Sequence, residues 1–465
     1  MDVFFEGFFF MKKFIIISLV TLCILPLQAK EYSFEDAYKR VLATQESLAA
    51  ARQEVKAAKA QQSSTRGLYL PSVGVKGSYT RIDSPIIIDL NEIRTVITTL
   101  HGIPLTALPS FEEQIQNEKF FKAQAYATLP LFTGGKIASA NAAAKANYIG
   151  AQAQADMLAN KLLVDLSTKY FGNLLAQKMM EVRGQFLQNA KQNAENGAKM
   201  YRAGVISKVE KMSVDVILAQ AQRDYDSSVN DASIAQTLLK DILSETEEIT
   251  PNSSLFVLPL ESLPSLEEFQ KKALSTPILN FIDSKKDLSK ANENAQKADF
   301  LPTFYLFASH ELYSHDLTIL EPDWAIGIGF NWNLFEGGQT YNKTKAAKEL
   351  TQKVEDLKAQ QIKDITTGIE YYYKKMENAQ KTYTALQEEL SFTEAFYKAR
   401  QLGFKAGTTT SLEVNMAMTQ WQKSQLENLK AQYDFVTSLA AILNLSGQPE
   451  LFHKYAQEGQ KGVIK

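Results

Sequence analysis

One cysteine, Cys23, is all the sequence holds, so neither an internal disulfide nor a cysteine metal cage is available to the fold. Proline is scarce, at 13 in 465 residues, and the stretches without it are long, which favours long helices over a compact sandwich. Positive charge is not in excess. The 50 Lys and Arg face 52 Asp and Glu, for a formal net charge of −2 and a pI near 6.2, and no Lys/Arg run argues for nucleic acid as a partner. Catalytic signatures are missing too: there is no His-Glu-x-x-His, no phosphate-cradling glycine loop followed by lysine and no nucleophile elbow. The histidines are His101, His310, His315 and His453. Ser309-His310-Glu311 with His315-Asp316 is the only dense group of ligand types, and beside a strand hairpin it reads as a solvated loop. No catalytic residue, cofactor or metal is expected.

The N-terminus carries a secretory signal. Met11-Lys12-Lys13 opens an uncharged run from Phe14 to Leu25, and Ala29 supplies the small residue at the cleavage point. That run is too short for a spanning helix. Met11 is the expected start, with residues 1–10 an upstream extension. Cys23 lies inside the apolar run behind Leu22, where a lipoprotein signal wants a small residue, so the mature chain is read as free of thiol.

The clearest pattern in the rest is the stretch from Trp324 to Gly338. Trp324, Ile326, Ile328, Phe330, Trp332 and Leu334 alternate with Ala325, Gly327, Gly329, Asn331 and Asn333, a period of two that predicts a strand with one greasy and one small or polar face. Gly337-Gly338 closes it, and a long helical pattern follows. The same device stands earlier: a strand over Phe121–Phe132, then Thr133-Gly134-Gly135, then helix from Lys136 to about Arg202. At 1.5 Å per residue that helix is on the order of 100 Å long, which belongs to a coiled coil or bundle wall. A helix over Ser33–Arg66 and a strand containing Val73, Val75 and Tyr79 precede it. Between them, Arg81–Lys119 is an excursion with short helices expected near Leu90–Leu100 and Phe111–Asn117.

The chain repeats itself. Phe132 and Phe335, Gly135 and Gly338, and Gly204 and Gly407 are each 203 residues apart, and the matches fall on punctuation rather than on alanines. Residues 30–247 form the first repeat, 248–264 a linker, 265–447 the second repeat and 448–465 a tail. Each repeat reads as helix, two strands, long helix and return helix, the latter over about Ser207–Glu247 and as far as Leu445. Four strands leave two open edges and cannot close a membrane barrel, so an outer-membrane barrel must draw on several chains. The aromatic face also fits a soluble sandwich core; the paired long helices favour the membrane duct.

Pro-Leu-Phe-Thr-Gly-Gly and Asn-Leu-Phe-Glu-Gly-Gly after the second strand of each repeat make the chain, from about Tyr32 to Gly447, resemble the TolC family of outer-membrane efflux proteins. The resemblance implies a mainly α fold with a small β part: a duplicated long-helix coiled-coil unit plus two β-hairpins. It implies a homotrimer, with a twelve-strand barrel in outer-membrane lipid continuous with a twelve-helix periplasmic α-barrel. It also implies an equatorial region built from the linker and the tail. Tyr201-Arg-Ala-Gly-Val-Ile-Ser-Lys-Val-Glu210 and Phe404-Lys-Ala-Gly-Thr-Thr-Thr-Ser-Leu-Glu413 resemble the family's periplasmic tips. There Ser207 and Thr410 can cap the return helices, and Glu210 and Glu413 suit the first helical turn. By resemblance Glu413, with Glu210, narrows the tunnel, while Gly204, Val205, Ile206, Ser207, Gly407, Thr408, Thr409 and Thr410 meet a periplasmic adaptor. Met416 stands at the family's second acidic ring, and Phe404 and Thr409 replace the Tyr and Arg of its closed-state ties. Pairing of Glu210 with Lys405 or Arg202 is the substitute tie considered. Gly134, Gly135, Gly337 and Gly338 mark the strand-to-helix junctions. The function implied is a passive exit duct coupled through the adaptor to an inner-membrane transporter. A duct for type I protein secretion and a poreless periplasmic coiled-coil scaffold stay open as alternatives.

Overall fold

The structure, a computed structural model, describes residues 30–313 and 322–463. The signal segment 1–29, with Met11 and Cys23, and the pair His315-Asp316 lie outside the described residues. In chain order the elements are β1 (Lys30–Tyr32), α1 (Phe34–Thr44), α2 (Glu46–Arg66), β2 (Ser72–Arg81), β3 (Ile86–Asp89), α3 (Asn91–His101), β4 (Glu112–Gln116) and β5 (Lys119–Phe132). Then come α4 (Lys136–Arg202), α5 (Lys208–Leu243), β6 (Ile249–Pro251), α6 (Leu266–Lys272), α7 (Pro277–Ala298), β7 (Thr303–Tyr313), β8 (Trp324–Asn331), α8 (Gln339–Lys405), α9 (Ser411–Leu445) and α10 (Leu451–Val463). The two long helices, α4 and α8, have 67 residues each and contain no proline. At 1.5 Å per residue each runs for about 100 Å. Among the described residues, no helix is long and apolar enough to cross a membrane.

The chain separates into two compact units. One takes Gln53–Gln152 and Asn280–Ala359. It holds an antiparallel sheet in the order β2-β5-β7-β8, leaving β2 and β8 as edges. Register puts Val73, Ala127, Ala308 and Ile326 in one row across four strands, and Leu129, Leu306 and Ile328 in another. The apolar face is open at both edges: Val73 is 77% exposed and Phe330 69%. The reverse face carries the polar row Lys76, Gln124 and Glu311, with Gln124 Nε2 donating to Glu311 at 2.6 Å. Here the rings of Tyr126, Phe307 and Tyr305 lie over Gly74, Gly327 and Gly329, whose missing side chains make room for them.

Four expectations about element boundaries need correction. Phe111–Asn117 is not helical: β4 pairs with β3, because the run Ile86-Ile87-Ile88 offers β-branched residues to a partner strand. The strand that starts at Trp324 ends at Asn331, and Trp332 instead donates its indole N–H to the Phe300 carbonyl at 3.1 Å. The helix expected from Ser33 to Arg66 breaks at Gln45, whose backbone is extended and whose amide donates to Ile242 O at 2.7 Å. The return helix α5 stops at Leu243, where Ser244 takes a left-handed conformation.

The second unit comprises the described residues up to Arg52, with Ala153–Leu279 and those from Gln360 onward. Strand β1 pairs parallel with β6, so the start of the described chain lies against the segment that follows α5. Around this pair the buried rings of Phe34, Tyr170, Phe171, Phe256 and Phe452 pack with centroid separations of 4.8–6.5 Å. The Tyr170 hydroxyl donates to Tyr32 O at 2.7 Å and accepts from Ser253 N–H at 3.2 Å, which satisfies a phenol that burial would otherwise penalise. A second core joins α4, α5, α8 and α9 through Phe186, Leu187, Ala221, Tyr397, Phe404, Val414 and Met418.

Candidate functional site

Two helical hairpins, α4–α5 and α8–α9, reverse in matched turns. Gly204 (φ +71°) and Gly407 (φ +74°) adopt the left-handed conformation that lets a helix end. In each turn the next N–H reaches back five residues, Val205 to Met200 O at 2.9 Å and Thr408 to Gly403 O at 2.8 Å. Val205 is exposed and Ile206 half-buried, while Thr409 packs over Gly403, where any Cβ would meet its hydroxyl. Ser207 and Thr410 then cap the return helices, each accepting from the N–H three residues on. Glu210 and Glu413 return the bond to the capping residue's own N–H, at 2.8 and 2.9 Å. Both are complete capping boxes.

The carboxylates differ in what else they touch. The cap N–H and hydroxyl lower the pKa of each, Ser207 for Glu210 and Thr410 for Glu413. Glu413 alone gains a cation: Arg400 Nη1 lies 3.4 Å from its Oε1. Glu210 forms no ion pair with Lys405 or Arg202 within the chain; the Arg202 Nε donates to Ala198 O at 3.3 Å. Phe404 is buried in the four-helix core, and Met416 is exposed beside Leu412. Sequence reasoning missed Arg400, since a residue 13 positions before its partner leaves no local signal. It also missed the exposed apolar stripe Val209, Met212 and Val216 on α5, legible as three- and four-residue spacing.

At the strand-to-helix junctions, Gly134 (φ +64°), Gly135 (φ +96°), Gly337 (φ +63°) and Gly338 (φ +80°) all take left-handed backbone, which swings the chain from sheet into α4 and α8. Thr133 O accepts from Lys136 N at 3.1 Å, and Glu336 O accepts from Gln339 N at 3.1 Å. The Glu336 carboxylate also takes bonds from Asn333 and Thr340 at 2.9 Å each. Thus the punctuation residues act as pairs in both repeats.

A model of the outer membrane efflux protein family matches residues 37–244 and 284–448. Solved structures share the fold at low identity. CusC, whose structures follow transmembrane channel formation, superposes with a TM-score of 0.74 at 15% identity, covering 89% of this chain and 92% of its own. The CmeC outer membrane channel of Campylobacter jejuni gives 0.73 at 15%, covering 92% and 89%. The open state of the MtrE outer membrane channel of Neisseria gonorrhoeae gives 0.67 at 18%, covering 90% and 89%. No curated protein sequence matches this one. The exposed apolar sheet, the long helices and the paired turns thus accompany a match over most of the chain, and the chain belongs to the outer membrane efflux protein family, as an outer-membrane efflux channel.

Proposed function

We propose that three copies assemble into the exit duct of a tripartite efflux system. Each contributes four strands to a twelve-strand barrel and four long helical segments to a periplasmic tunnel. The observation that carries this is the sheet: its apolar face is solvent-open across all four strands, its reverse face carries the polar row Lys76, Gln124 and Glu311 beside rings packed over glycines, and its edges β2 and β8 lack partners among the described residues. A single four-stranded sheet cannot satisfy its edge N–H and C=O groups in lipid; closure with other copies can. In this reading residues 30–247 and 265–447 are the two repeats, with 248–264 and 448–465 forming the equatorial belt.

The turns at Gly204–Ser207 and Gly407–Thr410 meet the helical hairpin of a periplasmic adaptor, and an inner-membrane transporter supplies the energy. The exposed Val205 and the stripe Val209, Met212 and Val216 offer helix-spaced apolar anchors for such packing. Glu210 and Glu413 stand at the entrance, where the acidic charge left uncompensated biases permeation toward cations. The test is mass and conductance of the purified protein in lipid bilayers. A trimer with discrete ion-conducting events is expected; a monomeric, non-conducting protein that fractionates away from the outer membrane refutes the proposal.

A further inference from the structure

The two repeats are not equivalent at their turns. On α8 the side chains Phe392, Phe396 and Arg400 follow one another at four-residue spacing, so they stack along one face. Phe392 and Phe396 lie parallel, 5.8 Å apart with 11° between planes. The Arg400 guanidinium sits 4.9 Å from the Phe396 ring centroid, and its Nη1 reaches Glu413 Oε1 at 3.4 Å. The other Glu413 oxygen accepts from Thr410 N–H at 2.9 Å and from its hydroxyl at 3.1 Å. Both oxygens of this carboxylate are therefore engaged by its own chain. In the first repeat the positions of Phe392, Phe396 and Arg400 are held by Asn189, Asn193 and Gly197. Gly197 has no side chain to offer, and a Cβ there would already meet Val214 at 3.7 Å. Glu210 consequently keeps its capping bond without a cation beside it.

We propose that Arg400 is a specificity-determining residue: steered by the Phe396 ring, it neutralises Glu413, so that Glu210 is the acid that permeating ions meet. The inference rests on the placement of the turns at the tunnel entrance. Its physical content is a charge count. An acidic group whose field is cancelled a few ångströms away neither concentrates cations nor repels anions, whereas an unpaired carboxylate does both. A ring of three Arg400–Glu413 pairs would leave the entrance with half the negative charge that simple counting of Glu210 and Glu413 gives.

The test is the potassium-to-chloride permeability ratio of the full-length protein in planar bilayers, compared at equal oligomer mass. Arg400→Gln is expected to raise cation preference by about fivefold, the order set by one unit charge at close range in water-like dielectric. Arg400→Lys retains the wild-type ratio, which a purely structural role for the guanidinium would not predict. Arg400→Gln combined with Glu413→Gln returns the ratio toward wild type; glutamine at this position still closes the capping box. A ratio that responds to Glu210→Gln or Glu413→Gln but not to Arg400→Gln overturns the role of Arg400 alone. A ratio that responds to neither acid overturns the placement of the turns at the entrance, and this proposal with it.

Discussion

At Gly134 the backbone sits at φ +64°, and a Cβ would lie 2.8 Å from the Ala298 carbonyl oxygen and 3.0 Å from the Leu301 Cβ. Gly337, its counterpart in the second repeat, shares the conformation at φ +63° but has open space around it. Alanine at 337 should cost only the left-handed penalty of about 1–2 kcal/mol. Alanine at 134 adds a backbone collision that α7 must move to relieve, so Gly134→Ala should be clearly the more destabilising in paired denaturant titrations. The capping residues make a second residue-scale prediction. Ser207→Ala and Thr410→Ala each remove a cap, a loss of about 1 kcal/mol in local helix stability. Because Glu210 and Glu413 have pKa values lowered in the folded turn, they stabilise it above the unfolded carboxylate pKa, and that contribution is lost as pH falls through the folded values. Amide exchange at the turns should therefore accelerate, relative to the rest of α5 and α9, on acidification below about pH 4. Unchanged relative protection would contradict the capping account.

Among the elements, α10 is seated through Phe452, with Tyr455 and Ala456 buried beside it. Phe452 packs against Phe34 at 4.8 Å and against Phe171 at 6.1 Å, and it is fully buried. Phe452→Ala should cost about 3–5 kcal/mol, read as early proteolytic release of the tail. Strand β8 obeys the opposite rule, since its large side chains need to be outside. Ile328→Arg places a charge on the open apolar face and should cost about 2–4 kcal/mol if the position lies near the bilayer midplane, seen as lost outer-membrane assembly. The same substitution on a soluble sheet's solvent face would be tolerated. Strand β4 shows where element reading from sequence failed. Phe111-Glu-Glu-Gln-Ile alternates weakly, and only pairing with the isoleucines of β3, more than twenty residues earlier, decides its conformation.

For the whole molecule, the fold was legible because duplication doubled every signal. Glycine and phenylalanine punctuation at a constant interval marked two long helices whose observed bounds, Lys136–Arg202 and Gln339–Lys405, keep that interval. The turns were legible for the same reason: Ser207 with Glu210 and Thr410 with Glu413 are local capping patterns. The Arg400–Glu413 pair and the aromatic cluster were not, since each depends on residues brought together by tertiary packing. Trimer formation yields its own prediction. Since the mature chain is read as free of thiol, cysteines placed on both edge strands, at Val75 and Ile328 for example, scanned for register, should produce oxidative crosslinks that stop at a trimer ladder. Crosslinking that never passes the monomer would refute closure through β2 and β8. The parallel pairing of Lys30–Tyr32 with Ile249–Pro251, and the seat of Phe452 against Phe34, also bear on how the protein is made. A chain threaded into the periplasm from its N-terminus delivers β1 some 220 residues before its partner strand and Phe34 some 420 before its partner ring. Tyr170 and Phe171 reach Phe34 well before that, but the ring cluster closes only when Phe452 arrives, so the end of export coincides with completion of this core.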